Sequence, residues 1–493
     1  MLPTTWVRVR NTLPTIAKRL AIAGSFLATL RAPVYATDWQ WNLPPGFPTP
    51  LVPADNPMTL EKVVLGRFLF YDTRLSGNQT QACASCHQQA LAFTDGLPVA
   101  IGSTGQMHPR NSMNLSNAAY AATLAWANPL LTALEQQVLL PMFGDMPVEL
   151  GLTPVKDELP DRFESDPRYR RLFAEAFPDQ PDPFSSDMMV NNLVQGITSF
   201  VRTLISGNAP YDRYVNGLDD NALSLSAQHG AQLFFTERLE CFHCHNPFAF
   251  TDSVTFAGNQ FDSTPFHNNG LYNIGGTGAY PPNNTGIFAF TMVPTDMGAF
   301  KAPTLRNVML TAPYMHDGSI DTIDHVIDHY AAGGRTITEG PYAGDGSKNP
   351  FKSGFIRGFQ LTDQERQDFL NFLASLTDED FISNPHFADP FTTQFCAGDC
   401  GLDGTVGIDE VLTGVGIALD TAHLAACVTA DTNGDGVVSV DELIAAVNRA
   451  EAGCTTAQPA ASRQTAADGA VSLPTDPRGR GGEKIIDMAG SAA

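Results

Sequence analysis

The chain is short of positive charge. Against 52 Asp and Glu it sets 29 Lys and Arg, a formal net charge of −23, which excludes a phosphate-backbone ligand and suits a neutral or basic partner. Long apolar runs are also scarce. The longest, LAIAGSFLATL (residues 20–30), is too short for a membrane-spanning helix, which needs about 20 residues. It follows Arg8, Arg10, Lys18 and Arg19, no acid occurs in the first 36 residues, and the small-residue ending VYA precedes Thr37. That pattern is a secretory signal peptide over residues 1–36, cleaved near Ala36. Its loss, Arg31 included, takes the formal charge to −28. The mature chain is expected to be soluble and exported, with no membrane span and no nucleic-acid partner.

Cysteine is confined to two kinds of place. Cys396, Cys400, Cys427 and Cys454 cluster near the C-terminus and read as two disulfides, with three connectivities open. The other four lie in CASCH (Cys83 to His87) and CFHCH (Cys241 to His245). Two thiols three apart can add to the vinyl groups of one porphyrin, and the adjacent histidine reaches the iron. A redox dithiol or half a zinc site is the bland alternative for one such motif, and two in an exported chain argue against it. Cys83, Cys86, Cys241 and Cys244 are therefore the expected attachment points of two c-type haems, and His87 and His245 their proximal ligands.

The stretch DHVIDHY (Asp324 to Tyr330) sets two histidines four apart but lacks the glutamate of the HExxH zinc pattern. On a helix, Ile323, Val326, Ile327 and Tyr330 share one face, while His325 and His329 fall nearly opposite and are expected to be solvated.

The surroundings of the two haem motifs repeat. GRFLF (Gly66 to Phe70) precedes the first and GAQLF (Gly230 to Phe234) the second, each reading as the end of an amphipathic helix. A mostly α fold is predicted: two cytochrome c-like haem domains, residues 37–225 and 226–392, with long Gly, Pro and Asn-rich loops. A small helical, EF-hand or dockerin-like calcium module follows over 393–455. In it, DTNGDGVVSVDE (Asp431 to Glu442) fits the EF-hand loop, with ligands Asp431, Asn433, Asp435, the Val437 carbonyl, Ser439 and Glu442, and Gly436 at the tight turn. DCGLDGTVGIDE (Asp399 to Glu410) repeats it, but Gly401 and Gly407 replace side-chain ligands. The module reads either as a calcium-stabilised appendage or as a docking unit. The polar, Pro/Gly-rich residues 456–493 read as disordered.

LGRFLFYDTRLS, LEQQVLLPMFGDMPVEL and FKAPTLRNVMLTAPYMHDGS resemble the bacterial di-haem cytochrome c peroxidase and MauG superfamily over roughly residues 40 to 390. WNLPPGFPTPLVPADNPM and STGQMHPRNSMNLSNAAY look most like its methanobactin-associated, MbnH-type members. The resemblance implies that Tyr330, fourteen residues after His316, is the axial partner of His245, where the peroxidases place a methionine and MauG a tyrosine. Met315 is the competing ligand, one residue before His316. A hard phenolate favours a more oxidised iron than a thioether does. The resemblance further implies Trp126 between the haems, with Gln137 and Glu149 over the reacting iron held by His87. Glu149 is the expected acid-base group and Gln137 the donor orienting the peroxide. His108, which stands nearer to Asn111 than the capping histidine of many peroxidases would, reads as a loop residue. Asn111, with the carbonyls of Thr311 and Pro313, is the implied interdomain calcium site.

Two activities follow from the resemblance. In one, hydrogen peroxide generates a high-valent di-haem state that oxidises a residue of a partner protein by long-range electron transfer, in an MbnH-type enzyme a Trp to kynurenine. In the other, a cytochrome c peroxidase reduces hydrogen peroxide with electrons from a small periplasmic carrier protein. A non-enzymatic di-haem carrier would leave Glu149 without purpose. MauG passes charge outward through a Trp two residues before its second CxxCH, where this chain has Leu239.

Overall fold

The computed structural model describes residues 37–259, 265–391 and 395–454. The expected signal peptide, residues 1–36, and residues 455–493 lie outside them. The described residues are mostly helical, with one antiparallel strand pair, β1 (Thr336–Ile337) and β2 (Gly344–Asp345).

Around the first CxxCH, α1 (Leu60–Tyr71), α2 (Leu134–Phe143), α3 (Pro167–Ala176) and α4 (Met189–Arg202) form one core. Thr59 caps α1 by accepting the Lys62 N–H. Gly66 is needed where α1 meets α4, because a Cβ there would lie 1.9 Å from the Gly196 carbonyl oxygen. The second domain repeats this contact. α5 (Leu225–Phe234) packs on α7 (Asp363–Ala374), and a Cβ on Gly230 would lie 2.0 Å from the Asp368 carbonyl oxygen. The GRFLF/GAQLF repeat is thus a repeat of backbone-to-backbone helix packing.

The two helices differ in their surroundings. α5 is amphipathic, with Leu225 exposed and Ala227, Gly230 and Phe234 buried. α1 is not: Glu61, Arg67 and Leu65 to Phe70 are all buried. Arg67 donates to the carbonyls of Pro385 and Ala388, and Tyr71 to that of Phe387, so a later segment covers the side that an amphipathic helix would show to water.

A second core gathers Phe234, Leu239, Phe250, Ile327, Phe369 and Phe372; a third joins the halves through Trp126, Leu271, Tyr280 and Phe300. Buried Arg306 forms a fork-to-fork pair with Asp212, at 2.8 and 2.9 Å, and donates to the Phe248 carbonyl. It ties the TLRNV segment to the chain linking the two domains.

In the C-terminal region, α8 (Ile408–Ala418) and α9 (Val440–Ala452) follow two paired loops. The disulfides are Cys396–Cys454 and Cys400–Cys427. This region is no loose appendage. Ile417, Leu424, Cys427, Ala430 and Val438 belong to the first core. One face of α3 holds it: Arg171 donates to the Gly436 carbonyl at 2.9 Å, Glu175 accepts from Leu424 N and Ala425 N, and Arg168 pairs with Asp431.

Candidate active site

Both CxxCH segments wind into a single tight turn, Cys83–Cys86 and Cys241–His243, and in each the histidine N–H bonds the first cysteine's carbonyl at 3.0 Å. Past the turn the chain curls back so that His87 Nδ1 lies 2.8 Å from the Phe93 carbonyl oxygen and His245 Nδ1 3.1 Å from that of Phe250. Each carbonyl fixes the tautomer with the proton on Nδ1 and leaves Nε2 as the metal donor. Cys83, Cys86, Cys241 and Cys244 are unpaired. Burial pushes the Cys83 and Cys241 thiols up to about 12 and Cys86 to about 11. Uncharged thioether links to a porphyrin suit such burial.

A single cavity of about 700 Å³ is lined by both motifs and runs between them past Trp126. Trp126 is 9 % exposed and donates from Nε1 to the Asn111 carbonyl at 2.8 Å. On the first-motif side stand Gln137, Glu149 and His108. Gln137 sits on α2, which is held to α4 by the Glu135–Arg202 pair at 2.6 Å; its Oε1 is buried without a partner. Burial raises the pKa of Glu149, as an acid-base group over a reaction site requires. His108 does lie in a loop, but it also lines the cavity. Its Nδ1 accepts the Arg110 N–H at 3.1 Å, and its Nε2 stands 4.0 Å from Glu149 Oε1.

On the second-motif side, α6 (Ile323–Ala331) presents Ile323, Val326, Ile327 and Tyr330 to the cavity. Thr322 caps it by accepting the His325 N–H. Burial pushes the Tyr330 phenol up to about 12, so only a strong Lewis acid would ionise it. Asn269 Nδ2 lies 3.5 Å from the Tyr330 hydroxyl and 3.4 Å from Met315 Sδ. Both candidate sixth ligands therefore reach the same place, and Met315 holds a left-handed backbone at φ 74°.

The opposite face of α6 corrects the sequence reading. His325 is exposed and pairs with Asp321 at 2.6 Å, but His329 is only 4 % exposed, with neither ring nitrogen partnered. The loops around Asn269 and Lys352 fold back over that side, Lys352 donating to the Gly333 carbonyl. Burial holds the His329 imidazole neutral, at about 4.

Asn111, Thr311 and Pro313 line the same cavity. The Asn111 amide donates from Nδ2 to the Leu97 carbonyl at 2.7 Å, which leaves Oδ1 for a cation. In the C-terminal loop, Asp431 accepts the N–H groups of Gly434, Asp435 and Gly436, and Glu442 those of Thr432, Asn433 and Ser439. Gly436 has φ 77°. Asp431 and Glu442 are buried at the two ends of the loop. Asn433, Asp435, Val437 and Ser439 lie between them, Asp435 receiving the Val437 N–H and Asn433 Nδ2.

The sequence reading gave no role to Lys301, Arg110, Asn269 or His267, and used His316 only as a register mark. All five line the cavity. His267 lies 2.6 Å from Asp252, which lifts its imidazole to about 10 against the effect of burial. Lone cations in apolar or Gly-rich segments, such as Lys301 in AFKAP, were the available signal.

Twin cysteine-histidine turns around one cavity define a c-type di-haem oxidoreductase. The comparisons with known proteins agree. The profile of the family described as di-haem cytochrome c peroxidase matches residues 60–220. The methylamine utilization protein MauG of Methylorubrum extorquens is 33 % identical, over 66 % of this chain and 81 % of that one. The cytochrome c551 peroxidase of Pseudomonas aeruginosa is 32 % identical over 54 % of this chain and 70 % of its own. Among solved structures, a MauG-like protein associated with microbial copper homeostasis is 49 % identical, with a TM-score of 0.69, covering 71 % of this chain and 99 % of that one. The chain belongs to the di-haem cytochrome c peroxidase and MauG family and is an oxidoreductase, and its family implies two c-type haems.

Proposed function

We propose that this oxidoreductase is a periplasmic, MauG-like oxidase that uses hydrogen peroxide to oxidise a residue of a partner protein by long-range electron transfer. The residue is a tryptophan, converted to kynurenine. The observation that carries the reading is Tyr330, whose hydroxyl tips into the cavity on the His245 side. The 49 % identical MauG-like relative, linked by its description to copper homeostasis, supports it.

Residues 37–225 carry the peroxide-reacting site and 226–392 the His245/Tyr330 site. Haems attached at Cys83, Cys86, Cys241 and Cys244 and held by His87 and His245 would supply the redox-active iron whose electrons reduce peroxide to water. Glu149 takes the proton from the entering oxygen of peroxide and returns it to the leaving one, its raised pKa matching it to a proton that must travel both ways. Gln137 orients the peroxide by hydrogen bonding. Trp126, walled into the cavity between the two motifs and fixed through Nε1, carries charge between them. Leu239 is buried, so charge leaves by a route other than the surface tryptophan of MauG. Asn111, Thr311 and Pro313 would hold a calcium ion that braces the two halves. Asp431, Asn433, Asp435, Val437, Ser439 and Glu442 would hold a second one that firms the C-terminal module. Among the described residues, no helix is long and apolar enough to cross a membrane.

A second reading has its own observation. Met315 Sδ lies as close to Asn269 as the Tyr330 hydroxyl does, and a His/Met haem would suit a peroxidase fed by a small electron carrier. Ferric low-spin EPR of two variants separates the readings. Tyr330→Phe is expected to abolish or displace the low-spin signal, while Met315→Leu leaves it in place. The reverse pattern would assign the ligand to Met315 and the protein to peroxide detoxification.

A further inference from the structure

We propose that Tyr280, Tyr272 and Tyr342 form the route by which oxidising charge passes from the cavity to the surface, with Asp317 taking the Tyr272 proton in transit. The proposal rests on the oxidase reading and supplies the exit that Leu239 does not.

Aromatic rings run outward from the cavity wall, each in contact with the next. Phe300 lines the cavity, and the residue after it, Lys301, donates its N–H to the Trp126 carbonyl at 2.8 Å. From Phe300 the ring centroids of Tyr280, Tyr272 and Tyr342 follow in steps of 6.3, 5.4 and 5.9 Å. Only the last ring reaches water: Tyr280 is 4 % exposed, Tyr272 6 % and Tyr342 42 %. Trp126, Phe300, Tyr280 and Tyr272 share one packed core. The turn between β1 and β2 carries Tyr342 and is pressed on the Tyr272 segment: a Cβ on Gly344 would lie 1.9 Å from the Asn273 carbonyl oxygen, and Gly275 donates to the Ala343 carbonyl at 3.1 Å. The outer end opens on a cleft of about 470 Å³ lined by Tyr272, Tyr342, Arg335 and Glu339.

Tyrosine and tryptophan are among the side chains most easily oxidised by one electron, provided that a phenol can shed its proton as it goes. Tyr272 can: its hydroxyl donates to Asp317 Oδ2 at 2.7 Å. The Arg335 guanidinium lies 4.7 Å from the Tyr272 ring centroid, which makes positive charge on that ring costly and ties loss of the electron to loss of the proton. Tyr280 differs. Its hydroxyl donates to Asn268 Oδ1 at 2.8 Å, an amide oxygen that takes no proton, so Tyr280 bridges the path without being oxidised itself. In each passage Tyr272 loses one electron toward the cavity and its proton to Asp317. An electron from Tyr342 then restores Tyr272, which takes its proton back, while the exposed Tyr342 releases its own to water. An electron from the partner's residue restores Tyr342, with a proton returned from water. Two such passages deliver the two electrons that, with two protons, turn one hydrogen peroxide into two waters.

The test uses the holoprotein, one equivalent of hydrogen peroxide and a nitroso spin trap, with no partner present. Trap adducts are located by peptide mass mapping and counted against the ferric EPR signal lost in the same sample. No loss of ferric signal in the unaltered protein would overturn the oxidase reading itself, before the route is addressed. With the signal lost, an adduct on Tyr342 is expected in the unaltered protein and its absence in Tyr272→Phe, which keeps the ring but has no phenol proton to give. No Tyr342 adduct in the unaltered protein, or an equal yield in Tyr272→Phe, would overturn the route. Should Tyr272→Phe not accumulate, Asp317→Asn reads the same quantity, because it keeps a hydrogen-bond acceptor that takes no proton: a lost adduct supports the route and an equal one removes it.

Discussion

In the proposed mechanism Glu149 and Tyr330 divide the chemistry between two oxygen-bearing side chains that burial treats alike, raising the pKa of both. A carboxylate whose pKa is raised holds a proton more readily and so can both take one up and return it, while a phenol so shifted waits for iron to ionise it. Glu149→Gln should slow the reaction with peroxide by about 10²–10⁴-fold in stopped-flow measurements, a common range for losing a positioned acid-base group. The base form does the work, so the rate in the unaltered protein should fall as pH drops through a Glu149 pKa above the ordinary carboxylate value, and Glu149→Gln should lose that limb. A variant with full rate and the same acid limb would exclude Glu149 as the proton carrier. Tyr330 was legible in the sequence because the 0, 3, 4, 7 stripe of α6 marks the face turned to the core. His329 was misread for the complementary reason. Periodicity finds the apolar face of a helix but says nothing of a polar loop, here that of Asn269 and Lys352, folding over the other.

Helices α1 and α5 carry the internal repeat, and their glycines explain it. Gly66 against the Gly196 carbonyl and Gly230 against the Asp368 carbonyl leave no room for a methyl group, because in each case the obstacle is backbone rather than a side chain able to swing away. Gly230→Ala should destabilise the second domain by about 1–3 kcal/mol, the usual cost of overpacking, and lower the thermal midpoint of unfolding. An unchanged midpoint would mean that α5 and α7 stand further apart than described. The repeat was visible as GRFLF and GAQLF, and both helices end before their haem turns as read. The amphipathic character of α1 was not visible in the right form, since what buries its polar flank is the 385–388 segment, more than 300 residues away, through Arg67. Helix existence is local information, whereas the burial of a helix is not.

Across the whole molecule, the C-terminal region is the part least readable from sequence. Its cysteines and loops were plain, but neither the pairing Cys396–Cys454 and Cys400–Cys427 nor its seat on α3 through Arg168, Arg171 and Glu175 follows from spacing. The two haem turns, by contrast, were complete in the sequence, since CxxCH brings thiols and ligand together within five residues. What joins them is long-range: one cavity with Trp126 in its wall and Tyr330 at its far side. The central claim, that peroxide takes one electron from each site without an outside electron, is tested most directly by EPR of the ferric holoprotein before and after one equivalent of hydrogen peroxide. One high-spin and one low-spin signal, both lost on peroxide addition with no prior reduction, is the result expected. Two low-spin signals that respond to peroxide only after a one-electron reduction would contradict it, returning His108 and Met315 as iron ligands in a peroxidase.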